Sequence, residues 1–233
     1  MTPNARKRAQ SRAPLSRDRV LHAAIRLADK NGIESLTMRR LARALGVEAM
    51  SLYNHVANKG DLVDGIVDLV VSEIELPSNT DDWEAAIREC AISAHETLRR
   101  HPWACSLVMS PTTTQTARTS RLRYMEWLLG RLRAGGFSPE LTYHAYHALD
   151  AHILGYTLWQ LGHSVGAADL RDRKELQELA TRFLRDMQLS DRPFVAEHVE
   201  QHLSPLSEVN GFEFGLDLIL DGLNRAAKNS GEG

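Results

Sequence analysis

The chain has 233 residues, of which 28 are lysine or arginine and 30 are aspartate or glutamate, so its formal net charge is −2. The hydrophobic share of 43% is typical of a globular protein, and two cysteines are too few for a disulfide framework. No apolar run approaches the roughly 20 residues that cross a bilayer, and the first residues lack the apolar stretch of a secretory signal. We therefore expect a cytoplasmic protein with reduced thiols and no membrane partner.

The small net charge hides an uneven distribution along the chain. Residues 1–59 contain twelve basic and four acidic residues and carry +8. Residues 60–233 contain 16 basic and 26 acidic residues and carry −10. A charge difference of this size between segments indicates that one part of the chain contacts a nucleic acid or a membrane surface.

The first residues are basic and polar and contain Pro3 and Pro14, which predicts a disordered arm over 1–15. Two interpretations of this arm stay open. It could reach into a DNA minor groove or along the phosphate backbone, or it could be a solvated tail.

The residues after the arm predict a helix-turn-helix. Ser16 can cap a first helix over about 16–31, and Thr37 to Val56 then carry two short helices joined by a tight turn at Gly46. A left-handed backbone at that turn is easily reached only by glycine. In a helix-turn-helix the second short helix lies in the DNA major groove, whereas the alternative is a helical hairpin that only packs.

Helical patterns continue to the end of the chain. Asn58 can cap a fourth helix, and residues 77–80 interrupt the pattern, so we place a domain boundary there, between 16–76 and 77–233. Further helices are predicted at about 81–100, 102–109, 115–134, 138–161, 173–188, 192–203 and 210–227. No segment shows the period-two alternation of a strand, so we predict an all-α protein with a small N-terminal and a larger C-terminal domain.

Residues 16–75 resemble the N-terminal domain of the TetR (tetracycline repressor) family of transcriptional regulators. The matching residues are the first helix, Gly32, Leu36-Thr37, Arg39, Leu41-Ala42, Leu45-Gly46-Val47 and the segment LYNHVANKGDL over 52–62. The resemblance implies a three-helix, helix-turn-helix domain that binds double-stranded operator DNA. The residues that we expect to contact DNA are Thr37, Met38, Arg39, Arg40, Ala49, Met50, Ser51, Tyr53, Asn54, His55 and Lys59.

The chemistry of these side chains agrees with a DNA-binding role. Arg39 and Lys59 supply cations, and Tyr53 offers a ring and a hydroxyl group to a phosphate. Ala49 and Met50 carry no hydrogen-bond donor for a base edge, so methyl contacts with thymine are the expected readout there. Binding by such a surface should weaken steeply as the salt concentration rises.

The C-terminal part is similar, more weakly, to the all-helical ligand-binding domain of the tetracycline-repressor branch. The matching residues are Arg100-His101-Pro102-Trp103, Gly136-Phe137-Ser138, Leu154-Gly155-Tyr156 and the segment GFEFGL over 211–216. The resemblance implies a larger helical ligand-binding and dimerisation domain. It also implies a homodimer that forms through a four-helix bundle made by the eighth and last helices of each subunit.

Two features of the sequence support such a dimer independently. Small residues repeat along the helix that starts at Ser138, and the last helix carries a continuous apolar stripe. The expected interface residues are Ala148, Ala151, Gly155, Leu216, Ile219 and Leu223. The alternative is that these faces pack inside one subunit. We prefer the dimer because a helix-turn-helix protein usually needs two copies to read two half-sites roughly 34 Å apart.

Aromatic, methionine and histidine side chains of the larger domain predict a mostly apolar small-molecule site. The candidates are Trp103, Met109, Met125, Trp127, His147 and Trp159, although each could instead be ordinary core. The two metal-side histidines of the tetracycline repressors fall here on Glu75 and Val108. We therefore predict an effector other than magnesium-tetracycline, and neither a cofactor nor a metal.

Because the chain contains ten histidines, a metal-dependent enzyme is an alternative hypothesis to a DNA-binding regulator. His198 and His202 share one helix face, and His144, His147 and Asp150 could meet on another. No phosphate-cradling glycine loop and no GxSxG turn accompany them, so we predict no enzyme activity and no catalytic residue.

Together these patterns predict a homodimeric repressor that leaves its operator when a small-molecule effector binds. The effector would favour a dimer whose recognition helices no longer match successive major grooves. The helix from Asn58 to Glu75 would link the two domains. The main alternative is a constitutive or architectural DNA-binding protein, which predicts a C-terminal domain without an accessible cavity.

Overall fold

The computed structural model of the chain describes residues 14–78, 81–110, 119–168, 191–203 and 210–230. Every regular element in those ranges is helical, which confirms the predicted all-α class. The described residues divide into two compact units, one that ends at Leu69 and one that begins at Val70. Nearly all of the predicted basic arm, and the whole helix predicted over 173–188, lie outside the described residues.

The first unit is built from short helices. They are α1 (Arg17–Asn31), α2 (Met38–Leu45), α3 (Ala49–Leu52) and α4 (Lys59–Ser72), of which α4 continues into the second unit from Val70. The Ser16 hydroxyl oxygen caps α1 by accepting a hydrogen bond from the Arg19 amide at 3.2 Å. Apolar residues of α1 at helical spacing, from Val20 to Ala28, are buried and form one side of the core.

The turn between α2 and α3 depends on a glycine. The Thr37 hydroxyl oxygen caps α2 by accepting a hydrogen bond from the Arg40 amide at 3.2 Å. Gly46 ends α2 with φ 67° and ψ 40°, a left-handed conformation that strains any residue with a Cβ atom. The Val47 amide then donates to the Ala42 carbonyl oxygen at 3.0 Å. The predicted helix-turn-helix is therefore present.

The second unit is built on a long central helix, α8. Its described helices are α5 (Trp83–Arg100), α6 (Cys105–Val108), α7 (Thr119–Ala134), α8 (Pro139–Ala168), α9 (Pro193–Leu203) and α10 (Gly211–Ser230). α8 packs against α5, α7 and α10. Large apolar side chains such as Leu132, Leu149, Phe212 and Leu216 are buried in this unit, and their burial is the main favourable term in its stability.

Two helices of the second unit differ from the sequence prediction. α8 continues to Ala168, beyond its predicted end near 161, because an interior glycine such as Gly162 costs only about 1 kcal/mol and keeps its backbone hydrogen bonds. The helix predicted over 102–109 is instead a 3₁₀ turn, Pro102–Ala104, followed by α6. The proline holds the preceding His101 outside the helical region, at φ −124° and ψ 65°.

α10 approaches α8 closely at two glycines that lie one helical turn apart. A Cβ atom at Gly211 would lie 2.5 Å from the Tyr156 hydroxyl oxygen, and one at Gly215 would overlap the imidazole ring of His152. The same imidazole donates from Nε2 to the Phe212 carbonyl oxygen at 2.9 Å. Both glycines therefore face α8 and allow the two helices to pack tightly.

His95 connects α5 to this contact. Its ring stacks on Phe212 with the centroids 4.1 Å apart, and its Nδ1 atom lies 2.7 Å from Thr157 Oγ1. The Thr157 hydroxyl group donates to the Ile153 carbonyl oxygen at 2.6 Å, so it accepts the proton carried by His95 Nδ1. The pKa of His95 is lowered to about 4, mainly by burial and in smaller part by the nearby charges of Arg99 and His152. His95 is thus a neutral core residue.

Candidate functional site

The second helix of the helix-turn-helix, α3, presents its outer side chains to solvent. Leu52 is fully buried and fixes α3 to the core of the first unit, whereas 74% of Met50 and 45% of Tyr53 are exposed. A large apolar side chain that is so exposed on a one-turn helix makes no contribution to the core. It is free to contact another molecule.

The residues predicted to contact DNA are all accessible. Thr37, Arg39, Arg40, Met50, Tyr53, Asn54 and Lys59 are exposed, and Met38, Ala49, Ser51 and His55 are half-buried. Two of them also have a local role, since Thr37 caps α2 and the Arg40 guanidinium donates to the Ser35 carbonyl oxygen at 3.2 Å. Their DNA contacts stay a prediction, but none of them is required to fill the core.

An ion pair that the sequence did not reveal supports the segment after α3. The Arg17 guanidinium donates to both carboxylate oxygens of Asp61, at 2.7 Å and 2.9 Å, and to the His55 carbonyl oxygen at 2.8 Å. Asp61 also accepts from the Ala57 amide at 2.8 Å. The hydrogen bond from Arg17 holds the pKa of Asp61 below its usual range. These hydrogen bonds, which we call the Arg17–Asp61 bracket, fix the turn between α3 and α4.

The Arg17–Asp61 bracket means that one of the positive charges counted in residues 1–59 is already paired within the protein. Arg17 is one of the twelve basic residues of 1–59, but its charge is paired with Asp61, which lies just beyond that range. The partners are 44 positions apart. No local motif relates two residues so distant in sequence, so only the folded unit reveals the pairing.

The second unit contains a cavity of about 580 Å³. It lies among the end of α4, α5, α6, α7 and α8. The lining residues are Val70, Val71, Ile74, Ala94, Thr97, Leu98, Val108, Met109, Arg121, Tyr124, Met125, Tyr146, His147, Asp150, Ala151, Ile153 and Leu154. A cavity of this size, with mostly apolar walls and a few polar groups, suits a drug-sized molecule.

Three of the six predicted ligand residues line this cavity, namely Met109, Met125 and His147. The three tryptophans do not line it, so their role in ligand binding stays a prediction that this cavity does not support. Their surroundings explain the difference. Trp103 is buried edge-on to His101, the Trp127 indole donates to the Pro77 carbonyl oxygen at 3.2 Å, and Trp159 lies half-exposed beside Tyr156.

A polar cluster stands on one side of the cavity. The Tyr124 hydroxyl group donates to Asp150 Oδ1 at 2.9 Å, and Tyr146 also hydrogen-bonds to this carboxylate. Burial raises the pKa of Asp150, and the two tyrosine hydrogen bonds oppose that rise. One helical turn before Asp150, the His147 Nδ1 atom lies 2.8 Å from the Tyr143 carbonyl oxygen.

The sequence identified this cluster only in part. It indicated His144, His147 and Asp150 as residues that could meet on one face. His144 instead lies on the exposed side of α8. Tyr124 and Tyr146 were missed because a tyrosine is equally common in an ordinary core. Among the described residues, no group of three or more histidines, cysteines and acids is arranged to hold a metal ion.

The positions that correspond to the metal-side histidines of tetracycline repressors carry different chemistry. Val108 lines the cavity and offers no atom to a metal. The Glu75 amide donates to the Ser93 hydroxyl oxygen at 2.9 Å, outside the set of lining residues.

The predicted dimer residues divide into two groups. Ala148, Ala151 and Gly155 lie on the exposed side of α8. Leu216 and Leu223 are buried within the chain, so the prediction that they face a partner is wrong; Ile219 is half-buried. The apolar stripe of α10 packs against α8 and α5 of the same chain, which satisfies its hydrophobic period without a second subunit.

The sequence did not assign the exposed apolar residues of α8 and α10 to an interface. On α10 they are Phe214 and Leu218, which are 58% and 57% exposed, and on α8 they are Tyr143, Leu158 and Trp159. Phe214 and Leu218 lie between the buried positions of the apolar stripe of α10. At these positions the helical periodicity does not predict a core residue. In the described ranges no helix is both long enough and apolar enough to cross a bilayer.

Known proteins resemble the chain over almost its whole length. Residues 20–66 match the family model of bacterial regulatory proteins of the tetR family, and residues 76–227 match the tetracyclin repressor-like C-terminal domain. The HTH-type transcriptional repressor DrrR1 of Streptomyces coeruleorubidus is 35% identical over 225 residues, which are 93% of this chain and 81% of that protein. Tetracycline repressor protein class D of Escherichia coli is 30% identical over 162 residues, 67% of this chain and 72% of that protein.

Solved structures agree with these matches. The structure of apo ActR from Streptomyces coelicolor superimposes with a TM-score of 0.72 at 26% identity, covering 94% of this chain and 100% of that chain. The complex of ActR with actinorhodin gives a TM-score of 0.70 at 26% identity, covering 92% and 99%.

Proposed function

The chain belongs to the TetR family of bacterial transcriptional regulators and is a DNA-binding regulator rather than an enzyme, and on that premise we propose that it is a homodimeric repressor released from its operator by a small-molecule effector. One observation carries the proposal. The same chain contains an accessible helix-turn-helix in its first unit and an apolar cavity of about 580 Å³ in its second unit. Helix α4 begins in the first unit and ends in the second.

The charge and exposure of the first unit support DNA binding. Arg39 and Lys59 are exposed cations on either side of α3 in the sequence, and Tyr53 follows α3 with almost half of its surface exposed. Cations and hydroxyl groups of this kind bind phosphates and set the position of a recognition helix. Met50, which carries no hydrogen-bond donor, would read thymine methyl groups in the major groove.

The cavity supports a small-molecule effector. Its walls are mostly aliphatic, and its polar groups are confined to a few positions, as in typical ligand sites. The related protein ActR has been solved with actinorhodin bound. Because Val108 offers no metal ligand, we propose an effector that does not bind as a magnesium chelate.

The exposed apolar face of α8 and α10 supports a homodimer. Ala148, Ala151 and Gly155 permit close approach of a second helix, and Phe214 and Leu218 would lose their solvent exposure against a partner. Large apolar side chains that stay exposed on a folded protein commonly mark an interface. A two-fold dimer would also present two copies of α3 to two half-sites of the operator.

α4 is the proposed connection between the two activities. Near its start, Asp61 holds Arg17 and through it the turn after α3, whereas Val70 and Val71 near its end line the cavity. An effector that displaces these valines would move a helix whose first turn supports the DNA-reading segment. Thermodynamic linkage then requires operator DNA and effector to weaken each other's binding by the same factor.

A constitutive DNA-binding protein without an effector is the second candidate. It predicts a C-terminal unit whose interior is filled, because a binding cavity has no use there. The open volume beside Val70, Met125 and Asp150 favours the effector-responsive repressor instead.

The test of the proposed function begins with a selection. The full chain is used to enrich duplexes from a random DNA library, and sedimentation measures its oligomeric state with and without the selected duplex. We expect a two-fold-symmetric site with half-sites about one helical turn apart, bound by a dimer. Recovery of unrelated sequences with no consensus, or a monomer on a single half-site, contradicts the proposal. Met50→Ala is expected to relax the selected sequence, whereas the control Met125→Leu leaves it unchanged.

A further inference from the structure

The cavity has a polar side and an apolar side. Apart from Thr97, its polar lining residues belong to α7 and α8, whereas the residues from α4 to α6 are aliphatic or methionine. A ligand that fills such a space needs an apolar body and a polar group at one end. The class of that polar group follows from the hydrogen-bonding capacity of the cluster around Asp150.

The cluster offers acceptors and has already used its donors. The Tyr124 hydroxyl proton goes to Asp150 Oδ1, and Tyr146 hydrogen-bonds to the same carboxylate. An ionised carboxylate accepts about four hydrogen bonds, so two protein donors leave it with free capacity. The phenol oxygens can themselves accept further hydrogen bonds. No donor of this cluster remains for a ligand carbonyl, phosphate or carboxylate.

His147 lies one turn before Asp150 on α8. Its Nδ1 atom faces the Tyr143 carbonyl oxygen at 2.8 Å, and a carbonyl can only accept, so Nδ1 carries a proton. This hydrogen bond ties the imidazole to its own helix. Asp150 and the two phenol oxygens thus form an acceptor-rich group on α7 and α8, on one side of the cavity.

The Arg121 side chain also lines the cavity, and two of its nitrogens are tied to the backbone near α6. The Arg121 guanidinium donates at 3.2 Å to the carbonyl oxygens of Leu107 and Ser110, around the C-terminal end of α6. A cation is stabilised at that end of a helix by its free carbonyl groups. Burial raises the pKa of Asp150, which means that the surroundings do not fully compensate its charge. A bound cation would do so.

We propose that the effector is an amphipathic cation, with an apolar body in the aliphatic part of the cavity and a protonated amine that donates hydrogen bonds to Asp150. The inference rests on the proposed function, because it assumes that the cavity is the effector site. It specifies the chemical class of the effector and identifies Asp150 as the residue that selects it. An acidic effector would place a second negative charge beside the carboxylate and bind weakly.

The test uses competition for the cavity without DNA. Nile red, an uncharged dye that brightens in apolar surroundings, is first bound to the full chain. Three tricyclic competitors of equal body then displace it: imipramine, which carries a tertiary amine, its parent iminodibenzyl without the side chain, and the same tricycle with a propionic acid chain. Because a hydrogen bond to a charged group is stronger than one between neutral groups, imipramine should displace the dye at a concentration at least about tenfold lower than the other two.

Two variants assign the preference to Asp150. Asp150→Asn keeps the shape of the side chain and removes its charge, so the three competitors should come within about threefold of one another. Glu140→Gln removes a carboxylate charge at the exposed start of α8, outside the cavity lining, and should keep the full preference. Circular dichroism of each variant verifies that the helices are intact. Retention of the amine preference in Asp150→Asn would overturn the assignment.

The outcomes separate this inference from the proposed function. If Nile red binds and the neutral or acidic tricycle competes as well as imipramine, or imipramine does not compete, the cavity is usable but the cationic class is wrong. If the chain takes up no Nile red, the effector site itself fails, and both proposals fail with it. The competition with the wild-type chain alone shows whether the cavity prefers a cation, even if Asp150→Asn does not fold.

Discussion

The two units of the molecule differ in how far apart in sequence their functional residues lie. The residues predicted to contact DNA come from a continuous stretch, Thr37 to Lys59, in which each helix start and turn has its own local signal. The cavity draws on five helices between Val70 and Leu154. A local surface is therefore visible as a motif, whereas an assembled cavity is defined by how helices rotate and pack. A pH titration and single substitutions in each unit can test this contrast.

The largest expected effect is a pH response confined to the second unit. The folded-state pKa of His95, about 4, lies below its usual 6.5, so protonation of the unfolded chain opposes folding as the pH falls through this range. The stability of the second unit should decline between pH 6.5 and 4.5 and lose about 3 kcal/mol by pH 4. Urea unfolding followed by tryptophan fluorescence measures it, since all four tryptophans lie beyond Val70.

The control for this response is His95→Gln, which should remove most of the pH slope. Asp61 stays ionised throughout the same window because Arg17 holds its pKa below the usual range, and its contribution is lost only as the pH falls through that lowered value. Amide exchange in α1 should therefore change little between pH 6.5 and 4.5 once corrected for the intrinsic rate. An equal pH slope in wild type and His95→Gln would show that the buried histidine is not the titrating group.

Next in size is the loss of the bracket beneath the DNA-reading segment. Arg17→Met leaves the nearly buried Asp61 without its cation and releases the His55 carbonyl group. We expect a destabilisation of about 2 kcal/mol and an operator affinity about tenfold lower. Fluorescence anisotropy with the selected duplex measures the affinity. Arg26→Met removes the same charge from the exposed face of α1, so similar losses in both variants would contradict a positioning role.

A smaller effect distinguishes two glycines of α10. Gly215→Ala places a methyl group against His152 and should destabilise the second unit by about 1 kcal/mol. Gly222 lies on the same helix with open space at its Cβ position, so Gly222→Ala should instead stabilise the protein by about 0.5–1 kcal/mol. Thermal unfolding of the two variants gives the comparison. Shifts of the same sign would mean that α8 and α10 do not pack closely at Gly215.

The smallest effect concerns one phosphate contact. Lys59→Met should weaken operator binding uniformly across sequences and reduce the slope of log Kd against log salt by about 1. Lys228, an exposed lysine near the end of α10, is the matched control, and Lys228→Met should leave the slope unchanged. A slope that is identical in wild type and Lys59→Met would remove Lys59 from the DNA surface.

Features of the fold that depend on neighbouring residues could be predicted from the sequence, whereas features that depend on packing between helices could not. The caps at Ser16 and Thr37 and the left-handed Gly46 were readable because they satisfy local backbone requirements. The end of α8 was not, since Gly162 permits a helix to continue. Leu216 and Leu223 illustrate a more general difficulty. Their helical period correctly predicts burial, but periodicity cannot distinguish a helix of the same chain from a helix of a partner.

The all-α class, the helix-turn-helix between Thr37 and Val56 and the concentration of positive charge before residue 60 could be derived from the sequence. Each of them depends on composition or on residues within a few positions of one another. Which side chains share a site became visible only in the folded protein. In the folded protein Arg17 pairs with Asp61, the tryptophans predicted to bind the ligand lie outside the cavity lining, and Tyr124 hydrogen-bonds to Asp150. The physical reason is that helix rotation and packing follow from the simultaneous burial of several faces, which no single segment specifies.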